Sequence, residues 1–80
     1  MSVDIRSPLP GVFYRRPSPG SEPFVDVGSA VEPGTVVAIV EVMKQFFEVP
    51  AGTEGKIATV AVADAEMVDA GQVLFTVLPW

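Results

Sequence analysis

Cysteine and histidine are both absent from the 80 residues. Without cysteine there is no disulfide, no thiolate metal site and no thiol nucleophile. Without histidine the commonest general base and the commonest metal ligand are missing as well, with every Ser-His or Cys-His pairing. The two absences argue against independent catalysis. Positive charge is scarce: five Lys+Arg stand against ten Asp+Glu, a formal net charge of -5. Only Arg15-Arg16 put two basic side chains together, so a polyanionic partner is not expected. Hydrophobic residues make up 49% of the chain, yet no apolar run approaches the roughly 18 residues of a membrane-spanning helix. Met1-Ser2-Val3-Asp4 carries neither a basic n-region nor an apolar h-region, so no secretory signal is read there and the cytoplasm is the expected location. A chain this short makes one domain, residues 1–80, and buries only about 60% of its unfolded surface. A compact all-β unit fits that limit.

What is present is β-structure punctuated by turns. Five of the eight prolines fall in the first 23 residues and exclude helix there. A short extended piece at 4–6 leads to the turn Ser7-Pro8-Leu9-Pro10-Gly11 and to strand formers at 12–14. A Pro-stiffened polar loop occupies 15–23, and strands are expected at 24–27 and 36–42, with turns at Gly28-Ser29 and Glu32-Pro33-Gly34 between them. The second half repeats the plan: a turn region at 49–55, a strand at 56–63, turns at 64–66 and 69–71, and a closing strand at 73–78.

The repeat has two offsets. Val31-Glu32-Pro33-Gly34-Thr35-Val36-Val37 matches Val68-Asp69-Ala70-Gly71-Gln72-Val73-Leu74 at a shift of 37, whereas Gly11 matches Gly55 at a shift of 44. The first half therefore carries seven extra residues between Tyr14 and Phe24, which is the Pro-rich loop. Neither half is large enough to bury a core by itself, so the two should pack as small antiparallel sheets related by a pseudo-two-fold axis. With Glu41 facing water, strand alternation puts Val36, Ala38, Val40 and Val42 inside, and Val73, Phe75 and Val77 with them. Val37, Ile39, Leu74 and Leu78 fall outside, so that face must be partly covered. Phe46 and Phe47 point to opposite faces, one toward the core and one over the base of the next feature.

That feature is the joint between the halves. A strand ending at Val42 and another starting at Gln45 leave Met43-Lys44 as a two-residue hairpin loop with the lysine at its tip. Neither residue suits a type I′ turn, which needs φ > 0 twice and favours Asn-Gly; the mismatch costs about 1–3 kcal/mol and points to a functional demand on the turn. A lone lysine with an ordinary amine is protonated and poorly nucleophilic near neutral pH. What a hairpin tip offers is reach, an exposed amine that another enzyme can acylate.

Glu41-Val42-Met43-Lys44, followed by Glu48 and by Ala51-x-x-x-Gly55, resembles the Glu-Ala-Met-Lys biotinylation motif of biotin carboxyl carrier domains. Upstream, Arg6-Ser7-Pro8-x-x-Gly11-x-Phe13-Tyr14-Arg15-x-Pro17-Ser18-Pro19 is similar to the form found in acetyl-CoA carboxylase carrier subunits, where the Pro-rich insertion is a protruding thumb near the biotin. The resemblance covers residues 6–78. It implies a flattened β-barrel or sandwich of two four-stranded antiparallel sheets, a barrel-sandwich hybrid with a thumb at about 15–23, forming a single biotinyl-carrier domain. It also implies biotin in amide linkage to Lys44, attached by a biotin protein ligase. Carboxyl groups would pass from a biotin carboxylase to a carboxyltransferase, in a complex of the acetyl-CoA carboxylase type used in fatty acid biosynthesis, with no activity of the carrier's own. Glu41, Val42 and Met43 would be read with the lysine, and Arg16 would contribute from the thumb.

Three positions depart from the family pattern: Val42 stands where alanine is usual, Gln45 where an apolar residue commonly follows the lysine, and Arg16 where thumbs commonly have threonine. Two other readings compete. A lipoyl carrier also displays a lysine on a hairpin, but its motif usually has Asp before the lysine and it lacks a thumb. An unmodified β-sandwich that binds a protein partner would leave the motif without a purpose.

Overall fold

The computed structural model describes residues 1–80. Eight strands follow in chain order: β1 (Val3–Arg6), β2 (Gly11–Tyr14), β3 (Ala30–Val31), β4 (Val36–Val42), β5 (Gln45–Pro50), β6 (Gly55–Val60), β7 (Glu66–Val68) and β8 (Val73–Leu78). They form two four-stranded sheets, β5-β4-β2-β7 and β1-β8-β6-β3, with every pairing antiparallel. Adding four to each label of the first half converts one sheet order into the other, so the duplication read from the sequence is a pseudo-two-fold of the fold. The offsets reappear in the registers, where Gly11 pairs with Val68 and Gly55 with Val31. The turns repeat even in their side-chain bonds. Glu32 N–H donates to Thr35 Oγ1 and Asp69 N–H to Gln72 Oε1, each at 2.9 Å.

The core lies between the sheets and draws on both: Phe13, Val37, Ala38 and Val40 from one side, Ile57, Leu74, Phe75 and Val77 from the other, all fully buried. The rings of Phe13 and Phe75 meet with centroids 5.9 Å apart at 60°, the tilted arrangement aromatic pairs prefer. Gly11 and Gly55 permit the close approach of backbones at the two related crossings. A Cβ on Gly11 would sit 2.7 Å from Val40 Cγ1, and one on Gly55 would sit 2.8 Å from Val77 Cγ1.

Several expectations need correction. Val37 and Leu74 do not fall outside: each is the extra residue of a β-bulge, skipped when Val36 pairs with Pro50 and Ala38 with Val49, and when Arg6 pairs with Val73 and Ile5 with Phe75. A bulge shifts the alternation by one residue, and both side chains turn into the core. Residues 24–27 are not a strand. Their polar groups are satisfied locally, with Phe24 N–H on Arg15 O, Asp26 N–H on Ser29 Oγ and Val27 N–H on Asp26 Oδ1, and only Val25 enters the core, as its repeat partner Val62 does. The strand expected over 56–63 runs as β6 from Gly55 to Val60. Neither Phe46 nor Phe47 is core: they are 60% and 39% exposed, because β5 is an edge strand whose tip end projects past the facing sheet's packing.

Candidate functional site

Strands β4 and β5 pair down to Val42 and Gln45, which leaves Met43-Lys44 as the two-residue turn. Met43 has φ 50° and Lys44 φ 66°, so both central residues are left-handed, as a type I′ hairpin requires. For residues with a Cβ this conformation costs about 1–2 kcal/mol each. In return the turn matches the right-handed twist of the strands and holds the tip clear of the sheet. Met43 is 92% exposed, and Lys44 is exposed and takes part in neither ion pair of the structure.

Below the tip, residues 15–23 fold over the outer face of the β5-β4-β2-β7 sheet. Arg15 closes the base of this loop. Its N–H donates to Asp64 Oδ1 at 2.7 Å, its carbonyl accepts from Phe24 N–H at 2.8 Å, and its guanidinium reaches Val25 O and Asp26 Oδ1, both at 3.2 Å. Val27 N–H and then the Arg15 guanidinium hold the Asp26 carboxyl below its ordinary range. Farther out, the Arg16 guanidinium donates to Ser21 O at 3.0 Å, Ser18 and Ser21 share a hydroxyl bond of 2.6 Å, and Gly20 turns the chain at φ 83°.

Between thumb and sheet lies a cleft of about 290 Å³. Tyr14, Ile39, Glu41 and Phe46 form its floor, and residues 16–19 form its wall, with Asp64 at one end. Glu41 pairs with Phe46 one rung below the pair that closes the hairpin, so the cleft opens beside the tip. Ile39, expected outside and covered, is 8% exposed beneath the thumb. Loss of water around Tyr14, then the charge of Glu41 and its bond to the phenol, and last the charge of Asp64, push the Tyr14 phenol above its usual 10.0.

The structure thus places Lys44 and Met43 at the tip, Val42 partly buried at the hairpin's closing pair, and Glu41 and Arg16 in the cleft. Tyr14, Ile39, Phe46 and Asp64 join the cleft without having been singled out. Outward strand parity with Glu41 would have found Ile39 and Phe46. Asp64 had no sequence signal, since only the fold of the β6-to-β7 loop brings it to Arg15.

Comparison with known proteins agrees with this geometry. The biotin/lipoyl family model described as "Biotin-requiring enzyme" matches residues 3–77. Similar proteins include the biotin carboxyl carrier protein of acetyl-CoA carboxylase from Pyropia yezoensis, 45% identical over 91% of this chain and 46% of the relative. Those of Pseudomonas aeruginosa (40% identical, 92% and 47%) and of Glycine max, chloroplastic (41% identical, 94% and 29%), are similar too. The chain spans half or less of the length of these relatives. A segment amounting to 6% of the Kluyveromyces lactis urea carboxylase superposes on 98% of this chain with a TM-score of 0.79 at 27% identity. With its duplicated sheets, its hairpin lysine and a match over nearly the whole length, the chain belongs to the biotin/lipoyl-attachment family.

Proposed function

We propose that residues 1–80 form a single biotin carboxyl carrier domain, with residues 15–23 as its thumb and Lys44 as the attachment point. The observation that carries the reading is the strained two-residue turn, which spends left-handed backbone on Met43 and Lys44 to hold one primary amine outside the fold. A biotin protein ligase presents an activated carboxyl; the Lys44 amine attacks it, an amide forms, the activating group leaves, and the lysine loses its charge. Glu41, Val42 and Met43 flank the amine for recognition. The exposed amine and the 290 Å³ cleft beside it fit a tethered bicyclic group, with the thumb and Arg16 along its edge. When attached, biotin supplies a ureido nitrogen able to accept and release a carboxyl group.

The chain's own work is to hold out the tether and keep its neighbourhood ordered. Partner enzymes perform the chemistry: a biotin carboxylase loads the group and a carboxyltransferase delivers it, in a complex of the acetyl-CoA carboxylase type. The carrier alone turns nothing over. No helix is long and apolar enough to cross a membrane, and we place the protein in the cytoplasm. Co-expression with a biotin protein ligase should add one biotinyl group by intact mass, and Lys44→Arg should abolish it. A wild-type chain that stays unmodified, or takes a lipoyl group instead, would overturn the reading.

A further inference from the structure

The pseudo-symmetry supplies an internal control for the surface beside the tip. On the thumb-side sheet a cross-strand rung runs Phe46–Glu41–Val12–Met67 along the outer face. Phe46 and Met67 are 60% and 71% exposed. The related rung of the opposite sheet is Leu78–Lys56–Ala30, by the shifts of 37 and 44. The backbone therefore does not need Val12 or Met67 for folding, because it accepts lysine and alanine in their places. Apolar side chains left in water on one copy only, one rung from the displayed lysine, are a contact surface.

Charge states what that contact meets. Glu41, Glu48, Asp64 and Glu66 border the rung. The Arg15 and Arg16 guanidinium groups are turned into the thumb by Asp26 and by Ser21 O, so Lys44 is the free cation of this face. Amide formation at Lys44 removes that cation, and the acidic border then stands uncompensated. The field is thus most negative after modification, which favours a partner of the modified chain over the enzyme that modifies it.

We propose that the Phe46–Glu41–Val12–Met67 rung with its acidic border is the docking surface for the enzyme that loads the modified carrier. That enzyme presents an apolar patch rimmed by lysine and arginine. The proposal rests on the carrier reading above and names the partner's surface chemistry.

The test uses the full chain, biotinylated and checked by intact mass, as substrate for a purified bacterial biotin carboxylase, read as bicarbonate-dependent ATP consumption. Val12→Lys/Met67→Ala copies the opposite sheet onto this one and should raise KM about tenfold with kcat unchanged, the size of a lost interface anchor. Lys56→Val/Ala30→Met makes the mirror change and should leave KM where it was. Glu48→Lys, at a fully exposed position that cannot disturb folding, should raise KM about threefold, and the wild-type KM should climb with added NaCl. A chain that takes no biotin defeats the carrier reading underneath. A biotinylated chain that is not loaded, a KM indifferent to Val12→Lys/Met67→Ala and to Glu48→Lys, or an equal response to the mirror variant overturns the docking surface.

Discussion

On the thumb-side sheet the second outward rung is Glu48–Ile39–Tyr14, and on the opposite sheet it is Asp4–Thr76–Thr59. The two rungs occupy related places on duplicated strands, yet one has an isoleucine at its centre and the other a pair of hydroxyls 2.6 Å apart. The difference follows from what lies above. Residues 15–23 cover Ile39 and exclude water from it, whereas nothing covers Thr76, whose hydroxyl finds Thr59 instead. The left-handed turns show a similar divergence. Gly28 takes φ 93° at no steric cost, while its repeat partner Ala65 holds φ 66° with a Cβ. The inner faces kept the duplication, because both halves must fill one core. The outer faces were free to diverge, and only one acquired a thumb and an exposed lysine.

The symmetric part of this comparison breaks hardest at the glycines. Gly11→Ala and Gly55→Ala each force a Cβ into a neighbouring strand, and each should cost about 3 kcal/mol in urea unfolding. A large loss at one site and none at the other would show that the two crossings are not equivalent. Next in size is the tip. Replacing Met43-Lys44 by Asn-Gly relieves two strained left-handed residues and should stabilise the fold by about 1–3 kcal/mol, while removing the modifiable amine. No gain in the urea midpoint would mean that the turn is unstrained.

Ile39→Thr, which copies the opposite sheet, should lose about 1–2 kcal/mol because the thumb buries the site. Thr76→Ile should lose less, about 0.5–1 kcal/mol, from the broken hydroxyl pair. Equal losses would mean that the thumb does not shield Ile39. The smallest effect is read by titration. Tyr14 is the one tyrosine, so tyrosinate absorbance reports it alone. Its phenol should ionise above 10.0, and Glu41→Gln should bring it down. Because the folded value is raised, the stability it contributes is present below pH 10.0 and is lost as pH rises past it. Asp26 behaves in the opposite sense. Its lowered carboxyl contributes above the ordinary 3.8 and loses that contribution as pH falls, which should loosen the base of the thumb in acid, seen as faster amide exchange at Phe24.

Much of the fold was legible in the chain. The 37 and 44 offsets predicted the two related sheets, and Val42 and Gln45 bounded the hairpin before any coordinates. Alternation went wrong at Val37 and Leu74 because a bulge inserts one residue without a mark in the local sequence, and period-two reasoning inverts past it. Residues 24–27 read as a strand because Phe24, Val25 and Val27 have strand propensity. Propensity does not know that Arg15 and Ser29 satisfy the same backbone and side-chain groups first. The cleft was half legible. Glu41 and Arg16 stood out by motif, while Tyr14 and Asp64 came together through pairings more than forty residues apart.

By itself the sequence determined the two-residue joint at Met43-Lys44, the duplicated halves and the excess loop between Tyr14 and Phe24, because turn chemistry, repeat spacing and proline content act locally along the chain. Tertiary structure alone decided which faces the bulges turn inward, where the thumb lies, and that Phe46, Glu41, Val12 and Met67 form one rung beneath the tip. Those depend on register between strands distant in sequence, and register is set when the two sheets close on a common core.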